Sequence, residues 1–357
     1  MTARAQTGGK GHGITPSDLE HCRAVIRTGS LSFHTASRVL PAAVRDPALA
    51  LYAFCRLSDD EVDEGGNKAQ AVLGLGARLT RVYAGAPGDT PEDRAFAAIV
   101  ARYKMPRALP EALLEGLAWD AEERRYRTLS DLCAYSARVA SAVGAMMCVL
   151  MGVRDRHALA RACDLGVAMQ LTNIARDVGE DARAGRVYLP LDWLEEAGID
   201  VQDFLARPEA SPEMRAMVAR LLGEARKLYL RSEAGVPRLP RRARTGIYAA
   251  RFIYAGIGAE LRRQNYDSIT RRARTTKLQK AGWLGKSVGY AAASALMPQP
   301  ATLFAPPLPE VAFLVDAVAE RDGAAPSWGT GRTGALLQTL ADLKSQDTVT
   351  GQRSHRA

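Results

Sequence analysis

Aromatic residues make up only 6% of this chain, and no segment of useful length alternates apolar with polar residues, so a sheet-rich fold is not expected. Cysteine is scarce too. The five present, Cys22, Cys55, Cys133, Cys148 and Cys163, form no CxxC pair and are odd in number, which indicates neither a disulfide framework nor a structural zinc site. A reducing compartment fits that usage. The uncharged apolar stretch from Val288 to Met297 falls far short of the roughly 20 residues that a membrane-spanning helix needs. Met1 to Gly13 is polar and glycine-rich, so a loose tail is predicted there, with neither a signal peptide nor an anchor.

What the chain has is alanine, leucine and arginine, residues that suit long helices. Its 357 residues are 47% hydrophobic, enough for a sizeable core in one large domain or two ordinary ones. The formal charge is +9, and 40 of the 48 basic residues are arginine, whose planar fork grips phosphate oxygens. An anionic partner is therefore expected, although composition alone does not separate nucleic acid, lipid headgroups and diphosphates. No interleaving of aromatic and basic residues points to nucleic acid.

Apolar residues recur at three- and four-residue spacing from Ser17 to about Gly152, as in Leu49, Tyr52, Ala53 and Leu57. Within this stretch, residues 85–93 form a connector that ends in a helix start, with Thr90 as N-cap and Pro91 at the first helical position. A long helix is predicted from about Ala160 to Ala182, then a fresh start near Asp192 as the capping residue. Helical blocks near Pro212–Ala234 and Arg241–Tyr266 follow. Proline accumulates beyond Pro298 and residues 323–334 look flexible. The expected organisation is a tail over 1–16, one helical domain over 17–297 and a Pro/Gly-rich extension over 298–357. Lysines 277, 280 and 286 with Trp283 precede the apolar stretch at 288–297, which fits either a helix lying on a membrane surface or ordinary core packing.

Two acidic stripes carry the chemistry. Asp59 and Asp63, four apart at the end of a helix, share one face and can bind a magnesium ion or two neighbouring ones. Later in the chain Gln170, Asn173, Asp177 and Asp181 fall at spacings of three and four along one stripe. Each offers oxygen, and magnesium fills the rest of its shell with phosphate and water. Spacing alone is a weak signal, because Asp89 and Asp93 have the same separation in a connector where they share no face. Like charges stacked at i,i+4 nevertheless cost stability unless a cation relieves them.

The blocks that carry these stripes resemble the squalene and phytoene synthase family, its bacterial phytoene-forming members in particular. The resembling segments are Ser30-Leu-Ser-Phe33, Leu51 to Arg56 leading into the first aspartates, Asp120 to Tyr126 with Tyr135 and Val139 to Gly144, and Gln170 to Pro190. They run in order from about Ser17 to Arg274. The resemblance implies an all-α isoprenoid synthase fold with a central cavity and magnesium, or alternatively manganese, between two aspartate-rich helices. The implied metal ligands are Asp59, Asp63, Asn173, Asp177 and Asp181. It also implies diphosphate binding by Arg56, Arg176, Arg271 and Gln170, a tyrosine near the leaving group at Tyr254, and a flap over one substrate at Ser30, Ser32 and Phe33.

The activity implied is head-to-head condensation of two geranylgeranyl diphosphates through a cyclopropyl diphosphate to phytoene, without NADPH. A carbocation requires walls that exclude water, and the apolar faces of Val139 to Met151 and Val167 to Leu171 are the candidates. Two alternatives stand beside this. One is a relative that makes squalene or dehydrosqualene from farnesyl diphosphate; the other is a non-catalytic helical assembly protein. The lipophilic substrate and product lead us to expect a cytoplasmic protein at the periphery of the inner membrane face, near other carotenoid-pathway enzymes.

Overall fold

The computed structural model describes residues 13–29, 31–64, 68–296 and 298–319, excluding the side chains of residues 31–33, 63 and 64. The described residues form helices joined by connectors, with no strand. In chain order the helices are α1 (Pro16–Gly29), α2 (Leu31–Ser37), α3 (Ala42–Glu64), α4 (Lys68–Tyr83), α5 (Pro91–Tyr103), α6 (Ala108–Ala121), α7 (Leu129–Ser136) and α8 (Ala142–Leu150). There follow α9 (Arg156–Arg183), α10 (Leu191–Glu196), α11 (Val201–Ala206), α12 (Pro212–Glu233), α13 (Arg241–Arg263), α14 (Lys277–Ala293) and α15 (Ala312–Ala319).

The predicted start at Thr90 is present: its side chain accepts from the Asp93 backbone N–H, and Pro91 opens α5. The predicted cap at Asp192 is not. Pro190 holds the cap position of α10, and Asp192 sits in the first turn, where its negative charge faces the positive helix end.

The 28-residue α9, about 40 Å long at 1.5 Å per residue, is the axis of the protein. It packs against α12, α13, α8 and the turn between α7 and α8. That turn, Ala137–Ser141, is π-helical. It joins α7 to α8 in a continuous apolar stretch, Leu129–Leu150, whose length and hydropathy would suit a membrane span. Here 67% of the most apolar window is buried, as in a core helix. Close approach to α9 depends on Gly166, where a Cβ would meet the Ser141 Cα at 2.6 Å.

On the other side, Phe54 of α3 stacks on Phe96 of α5 at 4.0 Å between ring centroids. Arg78 of α4 bonds Glu61 of α3 at 2.5 Å and Glu92 and Asp93 of α5 at 3.2 and 2.9 Å. Asp93 is thus a buried structural partner, and Asp89 pairs with Arg94 at the surface. Residues 298–319, expected as an extension, pack through α15 on α9, α8 and α6. The fully buried Arg161 holds them by donating to the Thr302 and Pro306 carbonyls.

Candidate active site

Between α3, α6, α8, α9 and α13 lies a cavity of about 1020 Å³. Helical spacing explains its walls. Tyr52, Cys55, Arg56 and Asp59 recur at three and four along α3, and Leu165, Gly166, Met169, Gln170, Asn173, Arg176 and Asp177 do so along α9. Each helix therefore turns one continuous stripe inward. The interior is hydrocarbon, from Leu113, Leu117, Val139, Val143, Met147, Met151, Leu165, Met169 and Ile247. Val139 to Met151 supply wall residues as expected; of Val167 to Leu171, Met169 and Gln170 reach the wall while Val167 and Leu171 face the core, and Leu165 joins them from one turn earlier.

The polar groups gather at one end. Arg56 donates to Asp59 at 3.2 Å and pairs with Asp60. Glu61 turns away to Arg78, which takes it out of the metal question. On the facing helix, Arg176 holds both Asp177 oxygens, at 2.8 and 2.5 Å, and Arg272 holds the same two oxygens at 2.8 and 3.1 Å. The Asn173 amide donates to Gln170 at 3.4 Å. Tyr254 completes this wall from α13.

Two of the expected site residues lie outside the cavity lining. Arg271 is exposed and outside the cavity lining; its neighbours Arg272 and Arg274 line it instead, and Arg272 reaches Asp177. Asp181 is also outside the lining and sits beside Arg186, Val187 and Tyr188 in a separate small pocket. Each four-residue step turns an α-helix by about 40°, so Asp181 has rotated about 80° from Asn173. Burial there, followed by the Asp177 charge, pushes its carboxyl up to about 7. Ser30 lies outside the described residues, as do the side chains of Ser32, Phe33 and Asp63.

Sequence reasoning assigned no site role to Asp120. This carboxylate lines the cavity and accepts hydrogen bonds from Tyr135 at 2.8 Å and Tyr188 at 2.7 Å. Burial pushes it up to about 7, against the pull of the two hydroxyls. An acid directly after the uncharged run Gly116 to Trp119 was the available signal. Lys280 and Tyr52 also line the cavity. Burial raises the Cys55 and Cys148 thiols of this wall to about 12, which disfavours a thiolate nucleophile at either.

Among the described residues no three His, Cys, Asp or Glu side chains are gathered into a ready metal cluster. The cavity does present hard oxygen donors from two facing helices, Asp59 on α3 and Asn173 and Asp177 on α9 with Gln170 one turn away. That donor chemistry fits a magnesium-like ion that keeps water and phosphate in its shell.

An apolar cavity with carboxylates and arginines at one end suits an amphiphile with an anionic head. The squalene/phytoene synthase family profile matches residues 26–279. The chain belongs to that family. A phytoene synthase of Cereibacter sphaeroides is 60% identical over 344 residues, covering 94% of this chain and 96% of that protein. A 15-cis-phytoene synthase of Paracoccus sp. is 45% identical, covering 73% and 87%. Among solved structures, a dehydrosqualene synthase in complex with ligand superposes with a TM-score of 0.72 at 30% identity, covering 78% of this chain and 97% of that one. The all-α fold is thus that of the isoprenoid synthases, as expected for this family.

Proposed function

We propose that this enzyme is a 15-cis-phytoene synthase of carotenoid biosynthesis, a prenyltransferase that joins two geranylgeranyl diphosphates head to head. The observation that carries the reading is the cavity: a long hydrocarbon interior ending in Asp59, Asn173 and Asp177 with Arg56, Arg176 and Arg272 around them. The relatives named phytoene synthase support it at 60% and 45% identity.

In this reading the diphosphate heads lie at the polar end and the prenyl tails fill the interior. Magnesium, which Asp59, Asn173 and Asp177 would hold, would neutralise charge on the diphosphates. Arg56, Arg176 and Arg272 hold the same oxygens and stabilise the leaving group as one allylic C–O bond breaks. The second prenyl double bond attacks the resulting cation and loses a proton, giving the cyclopropyl intermediate, prephytoene diphosphate. Loss of the second diphosphate, rearrangement and loss of another proton leave the central double bond of phytoene. Deprotonation ends the sequence, so no NADPH is consumed. Leucine, valine and methionine walls keep water from the cations. The lipophilic substrate and product favour a cytoplasmic enzyme at the inner membrane face, within reach of other carotenoid-pathway enzymes.

The likeness to a dehydrosqualene synthase keeps one second reading, use of farnesyl diphosphate. Incubation with Mg²⁺ and radiolabelled geranylgeranyl or farnesyl diphosphate, without NADPH, separates the two. A C40 hydrocarbon from the former alone is expected; a C30 product from the latter alone would replace the assignment. Asp177→Asn is expected to lose nearly all turnover with its helical circular dichroism retained. Full activity in that variant would remove Asp177 from the site.

A further inference from the structure

Helix α14 is apolar on both sides. Trp283 and Ala291 face the core with the buried Ser287, whose hydroxyl donates to the Trp283 carbonyl at 2.6 Å. Trp283 fixes the helix to α13, where its ring would meet a Cβ on Gly256 at 2.1 Å. The outward stripe carries Leu278, Gly282, Gly285, Val288 and Ala292, and Leu296 continues it just past the helix end. No polar side chain interrupts that stripe. Leu278, Val288 and Leu296 are 83%, 58% and 89% exposed. An ordinary surface helix of a water-soluble protein turns charged and polar residues outward.

Charge narrows the choice of occupant. Between Asp267 and Glu310 the chain has no acidic residue, while it carries Arg271, Arg272, Arg274, Lys277, Lys280 and Lys286. Lys277 and Lys286 lie at the borders of the apolar stripe, and Lys286 sits over the Phe252 and Tyr290 rings at 4.5 and 5.2 Å. An apolar strip edged by lysines matches the boundary between acyl chains and anionic headgroups. Position supports the same partner, because Thr275 and Lys280 at the start of α14 line the cavity.

We propose that the outer face of α14 docks this enzyme on an anionic lipid bilayer, with the helix in the plane of the interface. On the proposed function, which this inference deepens, docking sets the cavity entrance against the phase that dissolves the prenyl chains. Leu278, Val288 and Leu296 enter the acyl boundary, and Lys277 and Lys286 meet headgroup phosphates.

The test is co-sedimentation of the full chain with phosphatidylcholine vesicles, with and without phosphatidylglycerol. Wild-type protein is expected to pellet with the anionic vesicles, and Leu278→Glu/Val288→Glu/Leu296→Glu to bind them roughly tenfold more weakly. Leu278→Glu alone, at a side chain that touches little, is expected to weaken binding without lowering thermal stability. Turnover in detergent micelles is expected to stay within about twofold of wild type in both variants, because none of the three residues lines the cavity. Failure of wild-type protein to pellet, or equal pelleting of the triple variant, would overturn the proposal. So would a dimer in sedimentation velocity that the triple variant abolishes, since a second copy would then cover the face. Vesicle binding without turnover in any variant would instead refute the proposed function and leave docking standing.

Discussion

Gly179 tests how the active site is assembled. It lies on α9 half a turn beyond Asp177, and a Cβ there would come within 2.7 Å of the Ile269 Cα, 2.7 Å of the Ile269 carbonyl oxygen and 2.8 Å of the Ser268 carbonyl oxygen. All three are backbone atoms, so no side chain can swing aside. The loop they belong to is held by the Gly179 N–H donating to the Ser268 carbonyl at 3.1 Å and by Arg183 donating to the Ile269 carbonyl. Asp267 closes the loop by accepting from the Ile269 and Thr270 amides and the Thr270 hydroxyl. Three residues further on, the loop delivers Arg272 to Asp177. In Gly179→Ala, overpacking against backbone costs about 3 kcal/mol and the lost hydrogen bond about 1 kcal/mol. Alanine's better helix propensity returns about 1 kcal/mol. The expected net loss is about 3 kcal/mol, or roughly 6–12 °C in Tm at 2–4 °C per kcal/mol. Turnover is expected to fall about 100-fold, the scale of an ångström displacement in a site. Gly223→Ala is the control, because a Cβ there meets nothing within 4 Å, and it is expected to gain up to about 1 kcal/mol. Thermal denaturation and product formation on the two variants decide the matter. A Gly179→Ala protein with wild-type Tm and turnover would refute the account of how Arg272 is positioned.

Arg272→Gln is expected to lower turnover roughly 100-fold by removing a guanidinium from the charged end of the cavity, while Arg271→Gln, at an exposed position outside it, stays within about twofold; steady-state kinetics on the pair checks the choice. Asp120 has a carboxyl held at about 7 against an ordinary 3.8, so the folded state keeps its proton more tightly. That contribution to stability is present below about pH 4 and is lost as pH rises through 7. Relative to Asp120→Asn, wild-type protein is therefore expected to lose about 3 kcal/mol between pH 5 and 8, measured as the divergence of their urea midpoints. Arg161→Met leaves the buried Asp164 to Arg231 alone and cuts both bonds to residues 302 and 306. A loss of about 3–5 kcal/mol is expected, with limited proteolysis cleaving within residues 298–319 first.

By itself the sequence determined the helical class, the long α9 and the inward stripes of α3 and α9, because all of these follow from residue type and a 3.6-residue period within one segment. Asp59, Gln170, Asn173 and Asp177 were legible for that reason, and so was the Thr90 cap. Tertiary structure decided whatever depends on two segments meeting. Arg271, Arg272 and Arg274 are chemically alike, and only the loop clamped against Gly179 brings Arg272 to Asp177. Asp181 continues the spacing but not the face, since four residues slightly overshoot a full turn. Asp120 gains its partners from Tyr135 on α7 and Tyr188 in the loop after α9, far apart in the chain. The π-helical turn at Ala137–Ser141 breaks the period that an apolar pattern relies on, and it seats Val139 in the cavity wall. On α14 the residue types suited burial or exposure equally well; contact with α13 settled which face turned outward.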